Sequence, residues 1–421
     1  MKRLRKAGFL AFFVVLWLTQ LSCGNQYRPV ANPVIPPGGQ PQTQHAAWVL
    51  NYNPTGDGST TQIDVSGDTN VAVNSMGKGS AAEAFPANSL ALYIANSGDD
   101  TVSEYLPTLA GPITTISLLP GSHPIALASA NNTLMNVLNS GENSKCSTSG
   151  SVSVIQAATL SVNSTTCLVN GANVGDNPTA LAQSPFNGLV YVLNQGSPGS
   201  VWVFNPAGPS ILGVITLPTG QNPVSVTASL NGDWIFVVAE QGMGAGVLDI
   251  ISTSVTPPAV TATAPLGVGP GFSIIDPNLN RLYVANTGGN SVSVFDAANV
   301  SSSGSIPLLG TASVGTNPIG ITPLANGSLF YVLNSGSNNV TVVSANSFTA
   351  QTSVALPAGA NPVFIASDPT SSKVYVADMG TSETTVIQTS NNAIATNIPA
   401  PSQIIGCTVC ALQQPIMIVT Q

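Results

Sequence analysis

Charge is what this sequence has least of. Asp, Glu, Lys and Arg together make up 6% of its 421 residues, against about 25% in ordinary soluble domains. Surface helices need a charged face, so this scarcity argues against a helical fold. Histidine occurs only twice, which leaves little material for a His-based catalytic pair or a metal site. H-E-x-x-H, a G-x-S-x-G elbow and a P-loop are all missing, and the glycine-rich "GMGAG" from Gly242 lies between two strand-like runs rather than before a helix. Four of the nine basic residues (Lys2, Arg3, Arg5, Lys6) crowd the first six positions, and everything after Cys23 carries five basic against 17 acidic residues. Phosphate backbones attract basic patches, and none exists here, so nucleic acid is not an expected partner. What the chain does have is Gly, Pro, Ser, Thr, Asn and Val, a composition suited to strands joined by tight turns.

Those residues are arranged in a repeat. "RLYVANTGGNSVSVFD" at 281–296 returns as "LYIANSGDDTVSEY" from Leu92, "LVYVLNQGSPGSVWVF" from Leu189, "LFYVLNSGSNNVTVV" from Leu329 and "VYVADMGTSETTVI" from Val374. The units align on the residue that ends the first strand: Asn51, Asn96, Asn139, Asn194, Ala239, Asn286, Asn334 and Asp378, at intervals of 43 to 55 residues. A period in the forties made of short strands marks a β-propeller blade. "RLYVAN" is apolar on both faces, as a strand between stacked blades must be, and "SVSVFD" is its hairpin partner. Between hairpins stand "GSHP" at Gly121, "GDNP" at Gly175, "GQNP" at Gly220, "GTNP" at Gly315 and "GANP" at Gly359. Proline cannot donate to a ladder and suits the first residue of a strand, so each "NP" opens the innermost strand of a blade.

The resulting expectation is an all-β propeller of four-stranded antiparallel blades. The first hairpin, "AWVLNYNPTGDGSTTQIDV", has no inner strand before it, and the final "QQPIMIVTQ" reads as an inner strand with no hairpin after it. Joined, the two ends complete one blade and close a ring of eight. Seven blades is the alternative, with the first hairpin as a cap or the unit around Ala239 misread.

The N-terminus gives an address. "MKRLRK" and the twelve-residue apolar run "AGFLAFFVVLWL" form a secretion signal too short to span a bilayer as a helix. "LTQLSCG" resembles the lipobox of bacterial lipoproteins, with Gln20 where that motif usually has Leu. The resemblance implies a signal peptide at 1–22 and a lipid-modified Cys23. Residues 23–45, rich in Pro, Gly and Gln, read as a flexible tether, and 46–421 as the propeller. Cys146, Cys167, Cys407 and Cys410 remain, an even number for an exported chain that can hold disulfides. Cys146–Cys167 with Cys407–Cys410 is the simplest of three pairings. "CTVC" lacks the βαβ setting of a redox motif.

The "YVAN/YVLN…G…VSV" hairpins joined by "G-x-N-P" resemble the YVTN-repeat β-propeller family over residues 46–421, and the whole is similar to secreted bacterial lipoproteins of that type. The resemblance implies a ring of four-stranded blades in the periplasm or on the cell surface and offers no catalytic residue to carry over.

Strand alternation puts two sets of turns on one face around the channel mouth. One set is the hairpin turns at Asn96, Asn139, Asn194, Asn286, Asn334 and Asp378. The other is the turns before the inner strands at His123, Asn177, Asn222, Asn317 and Asn361. These are the candidate ligand residues. Asp57, Asp64, Asp68, Asp99 and Asp100 would suit calcium by their oxygens. Turn aspartates ordinarily bond their own backbone, so no cofactor is expected. The function expected is that of a non-enzymatic, lipid-anchored envelope protein that binds an envelope protein or a small molecule, or acts as a scaffold. The alternatives are a lactonase-like propeller hydrolase, which needs Arg, His or Glu clustered at the channel mouth, and a structural or adhesive envelope element.

Overall fold

The computed structural model describes residues 46–420, apart from 55, 87–90, 107–113, 130, 132, 148–149, 169–176, 197, 256–257 and 403–412. Cys23, Cys407 and Cys410, the signal peptide and the tether lie outside the described residues. Thirty-two strands form eight four-stranded antiparallel sheets, and the one helical element described is the 3-10 turn Gly242–Gly244. Seven blades are continuous in sequence. Blade 5 is typical, running inner strand Pro270–Asp276, second strand Arg281–Asn286, third strand Ser291–Asp296 and outer strand Leu308–Ser313. The eighth takes Ala46–Tyr52, Asp57–Asp64 and Thr69–Lys78 from the start of the chain and its inner strand, Gln414–Thr420, from the end. That last strand lies beside the inner strands Pro362–Ser367 of blade 7 and Ser80–Ala84 of blade 1, which closes the ring. The count is eight, and the seven-blade alternative falls.

Blades stack through the doubly apolar second strands. Tyr93, Tyr191, Tyr283, Tyr331 and Tyr375 are each buried there, and Tyr283 of blade 5 packs on Phe330 of blade 6 with ring centroids 4.7 Å apart. Burying one such side chain contributes about 2–3 kcal/mol.

Bulges shape the sheets at their inner and outer strands. Every inner strand shifts register near its start, for example between Pro318 and Gly320. The residue before the shift is Pro in six of the seven continuous blades and Ser80 in blade 1. It opens the strand except in blade 4, where Pro223 is the third residue, and in the closing blade the shift follows Pro415, the second. In seven blades the third and outer strands also shift register, as between Val294 and Phe295. Blade 1 lacks that outer bulge, and its outer strand Thr114–Ser117 is only four residues long. Lys78 is the sole charged residue in the eight outer strands.

Two of the rare cations join blades at the opposite end from the hairpin turns. Lys373, first residue of the second strand of blade 7, places Nζ 2.6 Å from Asp68 of the closing blade and donates to the Val65 carbonyl. Arg281, at the matching position in blade 5, donates to the Ala345 carbonyl of blade 6 and lies 5.5 Å from the centre of the Phe348 ring.

Candidate functional site

Antiparallel alternation brings the second-to-third turns and the outer-to-inner connections to one end of the ring. Within a blade they are stitched together by backbone bonds. The carbonyls of Gly79, His123, Asn177, Gly269 and Asn317 each accept an N–H from the first or second turn residue beyond the second strand. The candidate residues brought to this end fall into two classes with different surroundings.

Asn96, Asn139, Asn194, Asn286, Asn334 and Asp378 are all 0% exposed. They end their strands with the side chain turned into the blade, and they are not available to a ligand at the surface. The amide bridges to the third strand. Asn96 Nδ2 donates to Thr101 Oγ1 and Ser103 Oγ at 3.0 and 2.9 Å, and Asn286 Nδ2 to Ser291 Oγ and Ser293 Oγ at 3.0 Å each. Asn139 reaches Ser151 and Ser153 in the same way, and Asn334 reaches Asn339 and Thr341. In blade 7 the pattern reverses, with Thr385 Oγ1 donating to the Asp378 carboxylate. In blade 4 Ala239 carries no polar group, and the interior polar pair is instead Gln221 Nε2 donating to Asp249 Oδ1 at 3.2 Å. These are internal fastenings of the blade, and a buried amide with two partners is costly to remove.

The residues before the inner strands are the exposed class. His123, Asn177, Asn222, Asn317 and Asn361 present their side chains to solvent, one from each of blades 2, 3, 4, 6 and 7. His123, Asn317 and Asn361 have φ of +47°, +56° and +46°, and Gly79 and Gly269 take the same left-handed conformation in blades 1 and 5. Asn, Gly and His tolerate that region better than other residues, which accounts for the recurring choice. The result is a collar of exposed hydrogen-bonding groups at this end of the ring.

A third set includes Asp100, which the sequence offers only as a turn aspartate, and two asparagines that it does not single out. Asp100, Asn290 and Asn338 close the hairpin turns at φ between +49° and +55° and clasp the connection to the next blade. The Asp100 carboxylate accepts from the Gly121 and His123 N–H groups at 2.7 and 2.8 Å. Asn290 Oδ1 accepts from Asn317 N at 3.0 Å, and Asn338 Nδ2 donates to the Leu356 and Pro357 carbonyls. Their signal was available: each is the last residue before the third strand.

Catalytic chemistry finds little support in this geometry. His123 Nδ1 lies 2.9 Å from the Ser97 carbonyl and donates to it, which leaves Nε2 as the acceptor nitrogen of the neutral ring. Arg281, the one arginine after the tether, is at the far end of the ring. Burial raises the carboxyls of Glu83, Glu104, Asp249, Asp276 and Asp378, to about 6 for Asp249 and Asp378, but these belong to four different blades. Among the described residues no three His, Cys, Asp or Glu side chains gather to hold a metal. The turn aspartates have protein partners: Asp64 accepts from Ser66, Asp68 pairs with Lys373, and Asp99 accepts from Lys78 N. Cys146 and Cys167 form a disulfide that fastens the long turn of blade 2 to its outer strand.

No family model and no curated protein sequence matches the chain. Solved structures do. The dihydro-heme d1 dehydrogenase NirN in complex with DHE superposes with a TM-score of 0.69 at 14% identity, covering 94% of this chain and 79% of that one. Apo AztD from Citrobacter koseri gives 0.61 at 15%, covering 89% and 98%. A protein from Bacteroides fragilis titled "putative 6-phosphogluconolactonase" gives 0.54 at 15%, covering 91% and 100%. At such identities the likeness is one of fold, and what these structures share with the chain is the β-propeller.

Proposed function

We propose that this is a non-catalytic binding or scaffold propeller of the bacterial envelope, of the YVTN-repeat type, exported and held to a membrane through a lipid on Cys23. Its ligand, an envelope protein or a small molecule, docks at the collar formed by His123, Asn177, Asn222, Asn317 and Asn361. The observation that carries this reading is the contrast in exposure: these five residues face solvent, while the six polar residues that end the second strands, Asn96, Asn139, Asn194, Asn286, Asn334 and Asp378, are enclosed. A collar of amides suits a ligand rich in hydrogen-bonding groups and carrying little charge. The hydrolase reading draws on the lactonase-titled neighbour, and the remoteness of Arg281 from the collar weighs against it.

A thermal-shift screen of the full chain against sugars, lactones, organic acids and divalent cations tests the proposal. A ligand at about 100 times its Kd adds about 2.7 kcal/mol of stability. A saturable shift that is lost in Asn317→Gly and Asn361→Gly, both compatible with the left-handed backbone, supports the collar. A shift those variants leave intact removes the ligand from the collar, and turnover of a lactone establishes the hydrolase instead. If no compound shifts the protein, the small-molecule form fails, and cross-linking in the envelope then tests the protein-partner form.

A further inference from the structure

The closing blade meets blade 1 along a single seam. There the inner strand Ser80–Ala84 lies against Gln414–Thr420, Ala46–Tyr52 and Asp57–Asp64. Glu83 sits in this seam at 0% exposure. It is an anomaly within the repeat. Glu83 pairs with Ile94 two positions before the buried Asn96. The equivalent inner-strand positions hold Leu127, Leu181, Val226, Ile321 and Ile365 in blades 2, 3, 4, 6 and 7. Blade 5 has Ser273 there and the closing blade Ile418. Only blade 1, which packs against the blade built from the two chain ends, carries an acid at this position.

Its contacts reach both of those ends. Oε2 accepts from Thr60 Oγ1 at 3.3 Å, on a strand from the N-terminal run, while the Glu83 N–H lies 3.4 Å from Met417 Sδ on the final strand. Oε1 is buried as well. A carboxylate there would be a buried charge with no cation beside it, eased only by the Thr60 hydroxyl and the backbone of Leu50 and Val419, whereas a neutral carboxyl asks far less of its surroundings. The strands packed on Ser80–Ala84 supply no cation. Ala46–Tyr52 contributes Tyr52, Asp57–Asp64 its two terminal aspartates, and Leu92–Asn96 contributes Tyr93, whose hydroxyl bonds Glu104. Gln414–Thr420 and Pro124–Ala128 carry no titratable group, and His123 precedes the latter. Burial is the largest influence on Glu83 and raises its carboxyl well above the usual range.

We propose that Glu83 is a proton-held latch on ring closure: the neutral acid seals the seam between the closing blade and blade 1, and ionisation loosens it. The sign follows from linkage. Below the ordinary carboxyl pKa both closed and open states are protonated, and the seam is at its tightest. As pH rises past that value the open state sheds its proton first, and closure weakens by up to tenfold per pH unit until the buried acid itself ionises.

Hydrogen exchange on the full chain between pH 5 and 8, corrected for intrinsic rates, reads this directly. Amides of Ala46–Tyr52 and Gln414–Thr420 should lose protection by up to about tenfold per pH unit relative to Leu329–Asn334 of blade 6. In Glu83→Gln that relative slope disappears. Glu83→Leu, which installs the residue of blades 2 and 3, also abolishes it and raises protection across the seam. Equal slopes in wild type and either variant would overturn the proposal, as would a wild-type seam whose protection relative to blade 6 does not change with pH.

Discussion

Asp378 occupies a buried position at which Asn51, Asn96, Asn139, Asn194, Asn286 and Asn334 stand in six other blades, so Asp378→Asn restores the majority residue. The replacement amide should donate to Thr385 Oγ1, as Asn334 does to Thr341 at 2.9 Å. The single Thr385 hydroxyl proton, shared in the wild type with the Asp378 carboxylate, is then free for Asn397 Oδ1, 2.9 Å away. Burial raises the Asp378 carboxyl from 3.8 to about 6, with the nearby Glu383 adding to the effect. A raised acid is a liability that grows with pH, because the unfolded chain ionises first. For these two pKa values the cost is about 0.6 kcal/mol at pH 4 and about 3 kcal/mol at pH 7. Asp378→Asn should therefore gain about 2–3 kcal/mol more at pH 7 than at pH 4. Urea unfolding of both proteins at pH 4, 5, 6 and 7 with a common m-value measures this difference. A gain that is constant across pH, or no gain at pH 7, would refute the reasoning, since the carboxyl would then not be enclosed as described.

Other perturbations probe separate parts of the ring. Asp68→Asn keeps the left-handed turn and an acceptor oxygen but removes the paired charge from the buried Lys373 ammonium, and should cost about 3 kcal/mol. The double variant Asp68→Asn/Lys373→Met should recover most of that loss, so denaturant unfolding of the full cycle yields a coupling of about 2 kcal/mol or more. Replacing Cys146 and Cys167, 21 residues apart, by Ser should cost about 3 kcal/mol of stability, visible as a loss of the difference between oxidised and reduced protein in a melt. At the collar, Asn361→Ala should destabilise by about 1 kcal/mol because Ala resists a φ of +46°, while Asn361→Gly stays within about 0.5 kcal/mol of wild type. Melts of the two variants side by side separate backbone strain from loss of the side chain.

The architecture was legible because the repeat declares itself many times over. A period in the forties, proline at the head of the inner strand, a hairpin without an inner strand at the start and an inner strand without a hairpin at the end favour eight blades over seven. Even the irregular unit at Trp234–Gln241 keeps its place, its longer hairpin turning through the 3-10 segment and its polar pair supplied by Gln221 and Asp249. The site was legible only in part. Asn next to Gly looks like a turn residue by local propensity, yet burial of Asn96 or Asn286 is decided across the hairpin, by hydroxyls five and seven residues later. That spacing, as in Asn286 with Ser291 and Ser293, is present in the sequence and has meaning only once the register is known. Glu83 was silent for a similar reason. A single acid in "SAAEAF" carries no pattern of its own and stands out only against the aligned inner strands.

The bulges on the outer strands bear on how such a protein stays soluble. A sheet edge is a template for joining another sheet, and most proteins defend it with lysines or glutamates. This one has a single lysine among eight edges and relies instead on a kink in the ladder, or on a strand too short to template anything. Electrostatic defence fades when salt shortens the Debye length to a few ångströms and changes with every pH step. A kinked backbone does neither. The rim of this ring should resist edge-to-edge association as well in brine or acid as in dilute buffer.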